Sequence, residues 1–305
     1  MQIINYNRNR CTCGVHTQML WASIKKKKMN SEVINTKFGE IEYSSVGQGI
    51  PIIFVHGGHS NCNETLCHKG FDLNKYRLII PSRPGYGKTP LNKNKSPRQT
   101  AELIIELVKH LTLDRIIVYG ISAGGLTAIE LASNYPDFVC KLILASAISK
   151  KWLDEQGTTY KTAKRIFNPK VEKITWGAVN FFSDIFPDLI AKSFFPQFSK
   201  KTIYKLKKSD ILELVSTMKH YNSKTGFLND IDQNIDNEVI TKIKCPTLII
   251  HSEFDNSVPI EHAKYANKMI EYSEIQILQN EWGHLIWLGT DSKIAIEKIM
   301  KFIEN

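Results

Sequence analysis

The sequence lacks the features that would make it a membrane, secreted or nucleic-acid-binding protein. No run of about 18 uncharged apolar residues occurs in its 305 residues, so no segment has the make-up of a membrane-spanning helix. Its six cysteines (Cys11, Cys13, Cys62, Cys67, Cys140, Cys245) do not form the framework that small secreted domains use, and reduced thiols are expected. Zinc-type spacing is missing as well. Neither Cys11-Thr12-Cys13 with His16 nor Cys62 with Cys67-His68 offers the two close pairs of a structural site, so no metal is expected. The N-terminus also lacks the order of a secretory signal, because the apolar patch MLWASI precedes the lysines instead of following them. These absences point to a cytoplasmic protein.

Acidic residues are missing from one region only. The formal charge is +10, but residues 1–28 hold six lysines and arginines and no acid, and without those six the charge is +4. The basic excess thus belongs mostly to a tail, and no nucleic-acid partner is expected. Residues 1–28 show neither helical nor strand periodicity. Met29, just before the first regular segment, is a candidate for the natural start; the other reading is a disordered basic extension.

From there the chain alternates strand and helix signals. VINTKFGEIEYSSVG followed by PIIFVHGG reads as an antiparallel pair leading into a buried strand, with Gly47 to Gly49 as the turn. YRLIIPSRPGYG supplies the next strand and a glycine-rich loop. Ser96 is placed to cap a helix with Pro97 at its first position, and Ala101 to Leu111 has helical spacing. RIIVYG, a helix from Ala123 to Tyr135, and KLILAS continue the pattern. Continuous apolar strands alternating with helices predict an α/β fold, a mostly parallel central sheet covered by helices on both faces.

The alternation stops between residues 148 and 240, where helix-like patches at Tyr160–Phe167, Lys173–Phe186 and Asp210–Tyr221 appear without a clear strand. This segment is expected to be a helical cap inserted into a core of residues 29–147 and 241–305. Its phenylalanines and Trp176 are read mainly as packing, and its lysines as a solvated face. CPTLIIH, a helix from Ile260 to Ile270, the strand EIQIL and a last helix from Asp291 to Ile303 then resume the pattern.

Chemistry concentrates in loops that follow the strands. Gly120-Ile121-Ser122-Ala123-Gly124 lies where a strand becomes a helix. A serine hydroxyl is a poor nucleophile unless it projects clear of the backbone and a base can take its proton. A sharp strand-to-helix turn gives that projection, and the small neighbours Gly120, Ala123, Gly124 and Gly125 relieve the crowding it causes. The helix that follows aims its first amides at the same point.

Asp255, in the loop HSEFDNSVP after a strand, is the candidate carboxylate, with Glu253 second; the loop ASAISK holds no acid. His284, in EWGH after the strand EIQIL, is the candidate base, whereas His56, His59, His68 and His262 are read as packing or capping. An oxyanion hole would use the amide of Ala123 and a second from the HGGH loop, at Gly58.

With HGG, GISAGG, FDNSVP and WGHLIW in this order, the chain from about Val33 to Ile303 resembles the α/β-hydrolase fold family. Within it, SRPGYGKT and the helical insertion are similar to the capped members, which include esterases, C–C bond hydrolases, proline iminopeptidases and perhydrolases. HGGH lacks the proline that often follows this glycine pair in iminopeptidases. The resemblance implies a Ser122-Asp255-His284 triad under a lid, a small-molecule acyl substrate and no cofactor, with Arg83 holding loops by hydrogen bonds. A carboxylic ester hydrolase is the leading expectation; C–C or perhydrolase chemistry with the same residues, or a non-catalytic ligand-binding protein, are the alternatives.

Overall fold

A computed structural model describes residues 30–202, 206–219 and 221–305. The basic N-terminal segment, with Met29, Cys11, Cys13 and His16, lies outside the described residues.

Eight strands form one sheet: β1 (Ser31–Thr36), β2 (Gly39–Gly47), β3 (Ile50–Val55), β4 (Tyr76–Pro81), β5 (Ile116–Ile121), β6 (Val139–Ala145), β7 (Thr247–Ser252) and β8 (Ser273–Leu278), in the spatial order β1-β2-β4-β3-β5-β6-β7-β8. β1 pairs with β2 and β2 with β4 antiparallel; every other pairing is parallel. The turn from β2 to β3 makes room for β4 between them. Gly47 and Gly49 have φ of 83° and 89°, and a methyl on either would lie 2.3 Å from a carbonyl oxygen of the chain entering β4. Only glycine fits there.

The central strands are buried on both faces, and successive residues divide between two cores. Ile53, Val55, Val118, Leu142, Leu144 and Ile249 join one core with α1 (Pro97–His110), α2 (Gly125–Asn134) and α9 (Glu261–Met269). Their neighbours Ile52, Phe54, Tyr119, Ile143, Leu248 and Ile250 join the other, which takes in Ala295, Ile299 and Ile303 of the C-terminal α10 (Ser292–Glu304). α1 starts on the expected Ser96 cap, here a full capping box: Gln99 N donates to Ser96 Oγ, and Ser96 N donates to Gln99 Oε1 at 3.1 Å.

Between β6 and β7 the chain forms α3 (Thr158–Ile166), α4 (Pro169–Ile185), α5 (Pro187–Phe198), α6 (Lys208–Met218), α7 (Gly226–Asp230) and α8 (Asn237–Ile240). Three of these match the patches read from the sequence. The helices that periodicity did not reveal are α5, PDLIAKSFFPQF, and the short α7 and α8. Pro196 sits in the last turn, where few intrahelical bonds depend on it, and its carbonyl accepts Asn256 Nδ2 at 2.6 Å. Among the described residues no helix is long and apolar enough to cross a membrane.

Candidate active site

The C-terminal ends of the parallel strands bring the sequence-selected loops to one edge of the sheet, where open α/β sheets place their sites. Ser122 follows β5 directly and has φ 49°, the strained conformation that lifts its side chain off the turn. The glycines around it are sterically required. A methyl on Gly120 would lie 2.5 Å from Ala128 Cβ, on Gly124 2.1 Å from the Val55 carbonyl, and on Gly125 2.2 Å from the Ile148 carbonyl. Strand, turn and helix are thus locked together, and Ile148 N donates to Ser122 O at 2.9 Å to close the turn.

His284 Nε2 lies 3.0 Å from Ser122 Oγ, and His284 Nδ1 lies 2.8 Å from Asp255 Oδ2. Asp255 is 1 % exposed, and its Oδ1 accepts the amides of Ser257 and Val258 at 2.8 Å each. A carboxylate can only accept, so Nδ1 carries the hydrogen and Nε2 is left to receive the serine proton. Glu253, the rival acid, points elsewhere and accepts from Gln279 Nε2 at 3.3 Å. Gly283 explains its own place before the histidine. It has φ 53°, and a methyl there would meet the Phe198 and Phe254 carbonyls at 2.4 and 2.7 Å. The His284 amide donates to Phe198 O, and Ser146 Oγ donates to His284 O, which fixes the loop on both sides.

A second imidazole, not singled out by the sequence reading, stands behind the carboxylate. His251 Nε2 donates to Val258 O at 2.9 Å and lies 3.3 Å from Asp255 Oδ2. Burial lowers its pKa despite the opposing pull of Asp255, so it sits there as a neutral ring. Its position at the end of β7, four residues before Asp255, was the available signal.

The HGGH loop lies against the serine. A methyl on Gly57 would approach Ser122 Cβ to 3.0 Å, and one on Gly58 would meet the Phe227 ring at 2.9 Å. Gly58 and Ala123 both line the cavity beside Ser122. Arg83, 2 % exposed, braces this loop: Nε donates to His56 O at 2.8 Å, Nη2 to Gly57 O at 3.1 Å, and the backbone N to His56 Nε2 at 2.9 Å. Its fork also grips Asp230 of α7, Nη1 to Oδ1 at 2.6 Å and Nη2 to Oδ2 at 2.8 Å, and Tyr86 Oη donates to the same carboxylate at 2.5 Å. Burial opposes the guanidinium charge, but Asp230 outweighs it and raises the Arg83 pKa. Arg83 therefore holds loops, as expected, and also ties the oxyanion-loop candidate to the helical insertion.

The cavity has a volume of about 760 Å³ and is roofed by the insertion. Trp176 and Phe194 line it, whereas Phe195 packs on Trp282 and Phe181, Phe182 and Phe186 are exposed. None of the described lining residues is a lysine or arginine. His59, read from sequence as a packing residue, is part of the wall. Cys62 and Cys67 are buried thiols whose pKa values burial pushes up, and among the described residues no group of three or more His, Cys, Asp or Glu could hold a metal ion.

Residues 50–287 match the alpha/beta hydrolase fold family model, and the chain belongs to that family. It is 36% identical over 284 residues to the hydrolase YcgS of Bacillus subtilis (strain 168), a match covering 91% of this chain and 100% of that protein. Among solved structures it is similar to an esterase from Exiguobacterium antarcticum (TM-score 0.68, 22% identity, covering 90% of this chain and 100% of that one). A bromoperoxidase from Bacillus anthracis is similar in the same way (TM-score 0.70, 21% identity, 90% and 100% covered). At these identities the two structures speak for the fold.

Proposed function

We propose that this hydrolase-family protein is a serine hydrolase that cleaves a small carboxylic ester or related acyl compound through an acyl-enzyme. The observation that carries the reading is the unbroken hydrogen-bonded line from Asp255 through His284 to Ser122, ending in an apolar cavity. His284 Nε2 takes the Ser122 proton as Oγ attacks the substrate carbonyl, and Asp255 stabilises the imidazolium. The amides of Gly58 and Ala123 receive the oxyanion as the tetrahedral intermediate forms. His284 then passes its proton to the leaving oxygen. Water, deprotonated by the same ring, attacks the acyl-enzyme and restores Ser122. Residues 148–240 serve as the lid that keeps bulk water from the acyl group.

Leaving-group choice depends on the cavity and not on the triad, so a panel of p-nitrophenyl esters run beside peracid-formation and dienone-cleavage assays assigns the reaction. The direct test is labelling with a fluorophosphonate. Wild-type protein is expected to be modified at Ser122 and the Ser122→Ala variant to be inert; an unlabelled wild type would refute the reading.

A further inference from the structure

Among its described residues the cavity wall contains one carboxylate, Glu64, and local donors satisfy it: the amides of Thr65 and Leu66 at 2.9 Å each on Oε1, and Ser60 Oγ at 2.8 Å on Oε2. A polar group that is not satisfied lies next to the glycine pair. His59 has φ 63°, and its ring stacks on Phe227 with centroids 3.9 Å apart. Its Nδ1 lies 2.5 Å from Ser223 Oγ, which also accepts the Trp176 indole N–H at 2.8 Å.

That pair of contacts fixes the tautomer. An indole N–H only donates, and a serine hydroxyl has a single hydrogen to give. Among the described residues its one neighbour able to accept is His59 Nδ1, so the hydrogen of the imidazole sits on Nε2. Nε2 has no protein partner among the described residues. His68, whose Nε2 is orphaned, is fully buried, whereas His59 is half-buried and lines the cavity. Burial holds the His59 pKa down to about 3, so the ring is a neutral donor at ordinary pH.

The wall therefore offers a neutral N–H in an apolar setting and, among its described residues, no cation to pair with an anion. On the reading of Ser122 as nucleophile, we propose that His59 is a specificity-determining residue. Its Nε2–H binds a second acceptor atom in the acyl chain of an uncharged, largely apolar substrate, and the same cavity rejects chains that end in a carboxylate. A buried carboxylate without a partner is costly, and a buried donor discriminates sharply between chains that do and do not satisfy it.

The test compares p-nitrophenyl hexanoate with its oxa analogues, in which an ether oxygen replaces one methylene, and with the p-nitrophenyl monoester of adipic acid. Taking the oxa-to-carbon ratio of kcat/KM in each enzyme form cancels intrinsic reactivity. At one or more oxa positions that ratio is expected to fall about 5- to 10-fold in His59→Phe, which keeps the ring packing but loses the donor. Ser223→Ala, which frees the tautomer, is expected to lower it less, and it carries the test if His59→Phe does not fold. The anionic monoester is expected to react at least about 100-fold more slowly than the hexanoate. Ratios unchanged at every position, or an anionic ester that reacts as fast as the neutral one, would overturn the proposal.

If the wild type hydrolyses no ester and resists fluorophosphonate, the catalytic reading has failed and binding decides the specificity claim. The Ser122→Ala protein is then titrated with 4-phenylbutan-2-one and its isosteric anion 3-phenylpropanoate. The ketone is expected to bind at least about tenfold tighter and to lose that lead in the Ser122→Ala/His59→Phe double variant; equal binding overturns the proposal.

Discussion

The two sides of the cavity are built on different terms. On the sheet side the proposed nucleophile and base are flanked by glycines that leave no room for an added methyl: Gly120, Gly124 and Gly125 around Ser122, and Gly283 beside His284. On the insertion side the wall is a collection of large apolar side chains, such as Phe167, Trp176 and Phe227, whose rings pack on one another at varied angles. Charge divides the same way. Outside the tail the net charge is +4, and residues 148–240 account for all of it with fifteen basic and eleven acidic residues, yet none of the described residues lining the cavity is a lysine or arginine. Acyl transfer requires atoms placed to within a few tenths of an ångström, whereas an apolar wall requires only volume and dryness. The first demand leaves motifs in a sequence and the second leaves only composition.

The largest effect expected from this contrast is on the sheet side. Ser122→Ala and His284→Ala should each lower ester kcat by about 10³-fold or more, with unfolding midpoints near that of the wild type. Each variant should be nearly as inactive as the double variant, because the residues act as a unit. A similar loss from truncating Phe167 would break the comparison.

Next in size is the joint between the two sides. Arg83→Met leaves the Asp230 carboxylate buried without its partner and should cost about 3–5 kcal/mol, lowering the Tm by roughly 10 °C. Arg83→Met/Asp230→Leu should recover part of that loss. Thermal unfolding monitored by circular dichroism reads both.

Acid should weaken both sides together. Burial lowers the pKa of His59 and His68 to about 3 and of His262 to about 4, from an ordinary 6.5. Above pH 6.5 neither the folded nor the unfolded chain protonates these rings. Below it the unfolded chain takes up protons that the folded chain refuses, so stability falls with falling pH, by about 1.4 kcal/mol per pH unit for each ring. The loss runs down to about pH 4 for His262 and about pH 3 for the other two. Urea midpoints measured from pH 7 to 4 should show this slope, and His59→Phe should make it shallower. The smallest effect is expected on the outer face of the insertion, where Phe181 is 62% exposed and Phe181→Ser should change stability by less than about 0.5 kcal/mol.

What could be read from the sequence follows the same division. The central strands were legible because they are buried on both faces and read as unbroken apolar runs, and α1 because its cap is local. Ser122 and His284 were legible because the chain must be glycine beside them. Asp255 could be chosen over Glu253 only by its place in the loop, and the geometry that separates them, two backbone amides on Oδ1, is tertiary. The partner of Arg83 was not legible: Asp230 lies 147 residues away on a short helix with no distinguishing pattern. The donor edge of His59 was hidden for the same reason, since its tautomer is set by Ser223, 164 residues distant. α7 and α8 were not legible because helices of five and four residues are too short to display a helical repeat.

The ion pair between Arg83 and Asp230 also limits how this protein can be re-engineered. A chimaera that exchanged residues 148–240 for the equivalent stretch of a relative would strand a guanidinium in the interior, beneath the loop that carries Gly57 and Gly58. A transplanted roof must therefore bring its own carboxylate to that spot, or the recipient must give up Arg83 at the same time.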